Sequence, residues 1–284
     1  MRAPGHTPTG AEHRSSYPES ATTSAQIFLS LGSGALIGLS LGLIGGGGSI
    51  LAVPLMIYAV GVSSPHVAIG TAAVAVAASA AITLVGHARD RNIKWPCATA
   101  FALAGIVGSA LGAQVGKAVD GAKLLAGFGA LMIAIAAVML RPRRGGDDPA
   151  VHLDRASALR LLPPLAGIGF AVGLLSGFFG IGGGFLIVPG LVSATSMPLI
   201  NAIGSSLVSV AAFGMTTAVS YAASGLVDWP VAGLFVLGAT VGSRVGLRLA
   251  GQLARRTRTL SLIFSAVVAL VGVYIVARGL SGRH

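Results

Sequence analysis

Residues 38–54 read G-L-S-L-G-L-I-G-G-G-G-S-I-L-A-V-P, and residues 173–189 read G-L-L-S-G-F-F-G-I-G-G-G-F-L-I-V-P. The second stretch is the first displaced by 135 positions. Each is an apolar run broken by glycines, with a proline six residues past Gly48 or its counterpart Gly183. The echo continues at a displacement of 134. A-I-G-T at 68–71 answers to A-I-G-S at 202–205, Trp95-Pro96 to Trp229-Pro230, and V-G-S-A-L-G at 107–112 to V-G-S-R-V-G at 241–246. A duplicated apolar unit with a glycine break at matching places is the mark of a repeat-built membrane protein.

Composition agrees. Of 284 residues 54% are hydrophobic, 10% are charged and 42 are glycine. Soluble domains carry about 25% charged residues, so this chain lacks the charge for a water-facing surface and the bilayer must be its main solvent. Glycine is frequent in transmembrane helices because it lets backbones approach closely. The pairs Gly38/Gly42, Gly108/Gly112 and Gly238/Gly242 have the spacing of such contacts. The net charge of +11 would suggest nucleic acid in a soluble protein. Here the basic residues sit at segment ends and in loops, which reads as a topology signal. No nucleic-acid motif is present. The single Cys97 leaves no internal disulfide and no all-cysteine metal site.

Ten apolar segments follow a polar, proline-bearing tail at 1–25, which is read as disordered. They lie at 26–44, 49–61, 65–87, 95–117 and 121–140, and at 160–179, 184–195, 198–222, 229–250 and 259–278. The chain thus divides into a first repeat at 26–140, a basic linker at 141–158 and a second repeat at 159–280. The expected fold is all-α and polytopic. A crossing takes about 20 residues. The segments at 49–61 and 184–195 fall short of that, so they read as half-helices or re-entrant elements. Such backbone is tolerated at membrane depth where protein or a water-filled cavity surrounds it.

Loop charge bears on topology. The 88–94 loop carries Arg89, Arg91 and Lys94, and its counterpart at 224–228 carries no basic residue. Arg255, Arg256 and Arg258 at 251–258 face Lys117, Lys123 and Asp120 in the counterpart loop. Equivalent loops that swap sides require an odd number of crossings per half, which gives inverted repeats. Four crossings per half is the alternative. It would place the Arg255–Arg258 cluster outside, against the positive-inside rule.

The glycine runs are the first candidate site. Gly45, Gly46, Gly47 and Gly48, and Gly180, Gly182, Gly183 and Gly184 can open a helix and expose backbone amides. Amides ahead of a helix N-terminus bind anions, helped by the helix dipole. Ser49 adds a hydroxyl. The bland alternative is that these glycines serve helix packing alone. Gly70 with Thr71, Gly204 with Ser205 and Ser206, and Asn201 form the second group. Hydroxyls in apolar helices often bond back to their own carbonyls, and that reading stands beside substrate contact. His66, His87, Arg244 and Gln114 sit nearer segment ends, where interfacial roles compete with function.

All eight carboxylates, Glu12, Glu19, Asp90, Asp120, Asp147, Asp148, Asp154 and Asp228, fall in tails, loops or segment edges. Cation exchangers and proton pumps use buried Asp or Glu. A path of amides and hydroxyls suits a small anion instead. No enzyme constellation, Walker loop or cofactor motif appears.

The doubled glycine-run-to-proline motif, the doubled A-I-G-T/A-I-G-S and W-P followed by V-G-S-x-x-G resemble the TauE/SafE sulfite-exporter family. The resemblance spans roughly residues 27–280. It implies an inner-membrane transporter of sulfur-containing anions such as sulfite or organosulfonates, usually exported. Matched to that motif are Gly45–Gly48, Pro54, Gly70 and Thr71, then Gly180, Gly182–Gly184, Pro189, Gly204 and Ser205. Ile181 interrupts the second run, and Ser49 stands where the second half has Gly184, so the two half-sites are chemically unequal. Proton coupling, sodium coupling and uniport all stay open, and a passive channel for anions or small solutes is the rival reading.

Overall fold

The computed structural model describes residues 24–90, 92–140, 158–253 and 257–280. The tail at 1–23 and the linker at 141–157 lie outside the described residues, as do Arg91, Arg255 and Arg256. The described residues are helical, with no strand among them.

Helix α1 (Ser24–Ile44) runs into a 3₁₀ helix (Gly45–Leu51), then a short α2 (Ala52–Pro54) and a π-helical turn (Leu55–Ala59). Helices α3 (Pro65–Arg89), α4 (Trp95–Ala118) and α5 (Gly121–Leu140) complete the first half. The second half comprises α6 (Ala158–Phe179), α7 (Gly184–Thr195), α8 (Leu199–Ala222), α9 (Trp229–Leu253) and α10 (Thr257–Leu280). Six of these helices are long and apolar enough to cross a membrane: α1, α3, α4, α6, α8 and α9.

The largest boundary difference is in the first short segment, which starts at Gly45 rather than at residue 49, because the run turns left-handed at Gly45 and winds on as 3₁₀ helix. Pro54 has no N–H to donate, and the winding changes from α to π at the next residue. The amide of Val60 then reaches back five residues to the Leu55 carbonyl, at 2.9 Å. The side-chain amide of Gln26 donates to the Val60 carbonyl at 3.2 Å. The beginning of α1 and the end of the π turn are therefore neighbours, and this first unit is a helical hairpin.

Glycine ladders fix how the long helices pair. A Cβ on Gly34, Gly38 or Gly42 of α1 would press into the backbone of Phe235, Ala239 or Ser243 of α9. A Cβ on Gly169, Gly173 or Gly177 of α6 would press into Phe101, Gly105 or Ser109 of α4. The second set is the first moved by the repeat displacement. Close backbone approach of this kind is what holds helices together where lipid gives no hydrophobic drive between them. The opposite faces of the same helices are apolar and exposed. Leu103, Val107, Leu111 and Val115 recur every fourth residue on α4, and Leu237, Val241 and Val245 repeat that stripe on α9. These faces look to the acyl chains.

Two further pairings join an element to its own counterpart. Helices α3 and α8 pack antiparallel, since Ala77 meets Gly214 and Gly70 meets Tyr221. Helices α5 and α10 do the same, since Gly129 meets Val276 and Gly272 meets Ile133. The two halves thus touch reciprocally: what residue i does to residue j, the counterpart of i does to the counterpart of j. That reciprocity defines a two-fold relation.

Candidate functional site

The two glycine breaks meet. A Cβ on Gly46 would lie 2.5 Å from the Gly184 Cα and 2.7 Å from the Val210 side chain. One on Gly184 would overlap the Gly46 carbonyl. Two chains approach so closely because neither position carries a side chain. Gly45 packs on Ile203, and Gly180 packs on Ile69, its counterpart in the other half. Gly182 lies against Val76 and Val210.

At the first break the hydroxyls are engaged. Gly46 donates its N–H to the Ser206 Oγ at 3.3 Å, and that Oγ donates to the Ile203 carbonyl at 2.7 Å. The Ser49 Oγ donates to the Gly46 carbonyl at 2.9 Å. Gly47 and Gly48 lie within the same 3₁₀ winding.

At the second break the chain does open. Gly182 and Gly183 adopt φ values of 65° and 66°, a left-handed region that glycine enters without a Cβ penalty. Gly183 caps α7, and its carbonyl accepts from the amides of Leu186 and Ile187 at 2.9 and 3.1 Å. Gly184 and Phe185, the first two residues of α7, have no carbonyl one turn below them in the helix, so their amides lack an intrahelical acceptor. Beside them is Ser176 of α6, fully buried, with an Oγ that has no hydrogen-bond partner.

The A-I-G-T and A-I-G-S motifs have a common structural task. Each isoleucine seats the first glycine of the other half's run. Each following glycine, Gly70 or Gly204, admits the backbone of Leu226 or Asn92. Each hydroxyl then accepts an amide across the halves. Thr71 Oγ1 takes the N–H of Asp228 at 2.9 Å, and Ser205 Oγ takes the N–H of Lys94 at 3.0 Å. Asn201 donates its side-chain amide to the Asn92 carbonyl at 3.3 Å. Gly70, Thr71, Asn201, Gly204 and Ser205 are therefore gathered at the helix-joining loops, while the glycine runs gather at the contact between halves. The back-bonding expected of these hydroxyls occurs at Ser206 and not at Thr71 or Ser205.

With that geometry in hand, the comparisons with known proteins can be set beside it. The family model described as "Sulfite exporter TauE/SafE" matches residues 30–275. The chain belongs to this family. It is accordingly a membrane transporter, integral to the cell (inner) membrane. It is 44% identical over 256 residues to a "Probable membrane transporter protein" of Xylella fastidiosa (strain 9a5c), covering 90% of this chain and 97% of that one. It is 28% identical over 255 residues to the "Probable membrane transporter protein YunE" of Bacillus subtilis (strain 168), covering 84% and 93%. It is 26% identical over 257 residues to the "Probable membrane transporter protein MJ0441" of Methanocaldococcus jannaschii, covering 85% and 92%. No solved structure matches the chain.

The interior of this TauE/SafE chain is polar without being charged. Among the described residues no Lys, Arg, Asp or Glu side chain is buried. Two of the described carboxylates serve helix starts instead: Asp228 Oδ1 accepts from Val231 N at 3.1 Å, and Asp120 Oδ1 from Ala122 N at 3.1 Å, while Asp90 stands at the C-terminal cap of α3. Arg244 and Gln114 are exposed, and His66 bonds the Val119 carbonyl at 3.1 Å. His87 departs from its interfacial reading: it is buried, and neither ring nitrogen has a hydrogen-bond partner. Sequence reasoning missed Ser176. The signal was available in the repeat itself, because Ser176 stands where the first half has Leu41. No group of three His, Cys, Asp or Glu among the described residues has the arrangement of a metal site.

Proposed function

We propose that the chain carries one small anion at a time across the membrane by alternating access, binding it where the two glycine breaks meet. The observation that carries this reading is the pairing of broken helices, with the N-terminus of α7 at their contact, in an interior where no described ionised side chain is buried. Amide and hydroxyl donors stabilise negative charge, and a helix N-terminus adds its dipole. Buried carboxylates, which a cation site would use, are missing from the described interior. Sulfite and organosulfonates are the anions we assign, following the family's description as sulfite exporters.

The reading includes inverted repeats. The antiparallel pairing of α3 with α8 and of α5 with α10 supports it, since counterparts related by an axis in the membrane plane must run in opposite directions. The two halves then rock about their shared contact, exposing the breaks to one side at a time.

The test is uptake of radiolabelled sulfite and methanesulfonate into proteoliposomes, with unlabelled methanesulfonate, chloride and sodium salts as competitors. Saturable uptake, inhibited by methanesulfonate and not by chloride, is expected. Uptake linear in substrate would instead favour a passive channel. For topology, Cys97 is replaced by alanine and single cysteines are placed at Asn92 and Leu226. Labelling of the two from opposite membrane faces is expected, and labelling from the same face would exclude inversion.

A further inference from the structure

We infer that the two breaks divide the work, and that the substrate sits at the second break on Ser176 and the first-turn amides of α7, in a pocket selective for a singly charged oxyanion. This rests on the carrier reading above. The first break has spent its buried hydroxyls. Ser206 both accepts from Gly46 and donates to Ile203, and Ser49 donates to Gly46. Its chain turns left-handed at Gly45, but the run then winds as a 3₁₀ helix of seven residues, Gly45–Leu51, rather than starting a long α-helix at the contact.

The second break has kept its donors. Helix α7 has 12 residues and starts afresh after a left-handed glycine pair. Its first amides lack acceptors within the helix. Ser176 Oγ is 0% exposed and unpartnered, and lies 3.0 Å from where a Cβ on Gly183 would be, which aims it at the cap of that helix. A buried hydroxyl without a partner is costly, and a ligand oxygen at the α7 N-terminus would satisfy it together with the amides. Ser209 of α8 is a second buried hydroxyl with no partner. It adjoins Val210, whose side chain lies 3.3 Å from the Cβ position of Gly182.

Charge selection follows from what surrounds these donors. The cost of desolvating an ion rises with the square of its charge, while the return from neutral donors rises only in proportion to it, so a dianion is disfavoured where no fixed cation adds to those donors. No buried described residue supplies one. One negative charge is what a helix N-terminus and a hydroxyl can hold. Methanesulfonate and hydrogen sulfite fit, and sulfate and disulfonates do not.

Uptake of radiolabelled methanesulfonate into proteoliposomes, by wild type, Ser176→Ala and Ser206→Ala, tests this. Ser176→Ala should raise the half-saturating concentration about tenfold, the size of one hydrogen bond to a charged group. Ser206→Ala should leave it within about twofold, because Ser206 is used inside the protein. Sulfate and ethane-1,2-disulfonate should fail to compete at concentrations where unlabelled methanesulfonate competes fully. Ser176→Cys, which preserves volume, replaces the alanine variant if that one is not recovered folded. Thermal unfolding in detergent gives an independent reading. Methanesulfonate, against chloride at equal ionic strength, should raise the Tm of wild type and Ser206→Ala but not of Ser176→Ala. Saturable uptake unchanged by Ser176→Ala and Ser176→Cys, or equal losses at Ser176 and Ser206, would overturn the division of labour and leave the carrier intact. Dianions competing as well as methanesulfonate would overturn the charge selection. Absence of saturable anion uptake by wild type would overturn the carrier and this assignment together.

Discussion

The first break, Gly45–Ser49, and the second, Gly180–Gly184, are nearly the same sequence and do not wind alike. Both turn left-handed at their first glycine; the first then winds as 3₁₀ helix, and the second stays left-handed at Gly182 and Gly183 before a new α-helix starts. Two substitutions account for the difference. Ser49 bonds the carbonyl three residues back, a side-chain contact compatible with the tight winding, and Gly184 in the second half has no hydroxyl to do so. Ile181 is fully buried where the first half has Gly46, and its amide turns back to the Ser176 carbonyl at 3.2 Å. A duplicated scaffold can thus hold one half-site closed by its own bonds and leave the other with donors to spare. Symmetry sets where the breaks meet, and the departures from it set the chemistry.

The largest effect is expected where the breaks touch. Gly46→Val and Gly184→Val each add atoms where the opposing backbone already lies at contact. Both should reduce transport to background, while the protein is still recovered from the membrane fraction. Retained flux in either would mean that the breaks stand apart during the cycle for longer than this packing allows. Equal losses fit a shared contact, in which neither half can yield alone.

The ladders offer a milder comparison. Gly38→Leu on α1 and Gly173→Leu on α6 occupy equivalent positions, each pressed on a backbone carbonyl of its partner helix, α9 or α4. Overpacking costs about 1–3 kcal/mol and more against backbone, so both should lose about 3 kcal/mol in denaturant titration. A loss confined to one variant would show that the halves are held together unequally, and the two-fold relation would then be geometric rather than energetic.

Much of this was legible in the sequence, for a physical reason. Length, apolarity and duplication are properties of whole segments, so the ten segments and their correspondence survive small errors at the ends. That each half carries a glycine run at the matching place was legible as well, because it belongs to the repeat; that the two runs touch is a matter of packing. The winding within each run was not legible. It turns on single hydrogen bonds, such as Ser49 to Gly46, that depend on rotamer and on neighbours from the other half. Ser206 lies 160 residues from Gly46, and no local pattern pairs them. Thr71 and Ser205 were read as substrate contacts or as back-bonded hydroxyls, and the acceptor role toward Asp228 and Lys94 is a contact between halves that only packing reveals.

That pair gives the smallest effect and the most discriminating one. Thr71→Val and Ser205→Ala each remove the acceptor of one backbone amide at the start of α9 or α4. A hydrogen bond of this sort contributes about 1 kcal/mol, and each amide is near enough to the helix end for water to replace part of it. Both variants should therefore lose about 1 kcal/mol of stability, by similar amounts, with the half-saturating substrate concentration unchanged within about twofold. A residue that touched substrate would behave the other way, with affinity falling and stability kept. If Ser205→Ala weakened binding while Thr71→Val did not, the binding site would extend from the breaks to the loop at Lys94. Thr71 would then be a purely structural copy of Ser205, and substrate would lie toward the first break, which Ile203 and Ser206 adjoin, opposite to the division inferred from Ser176.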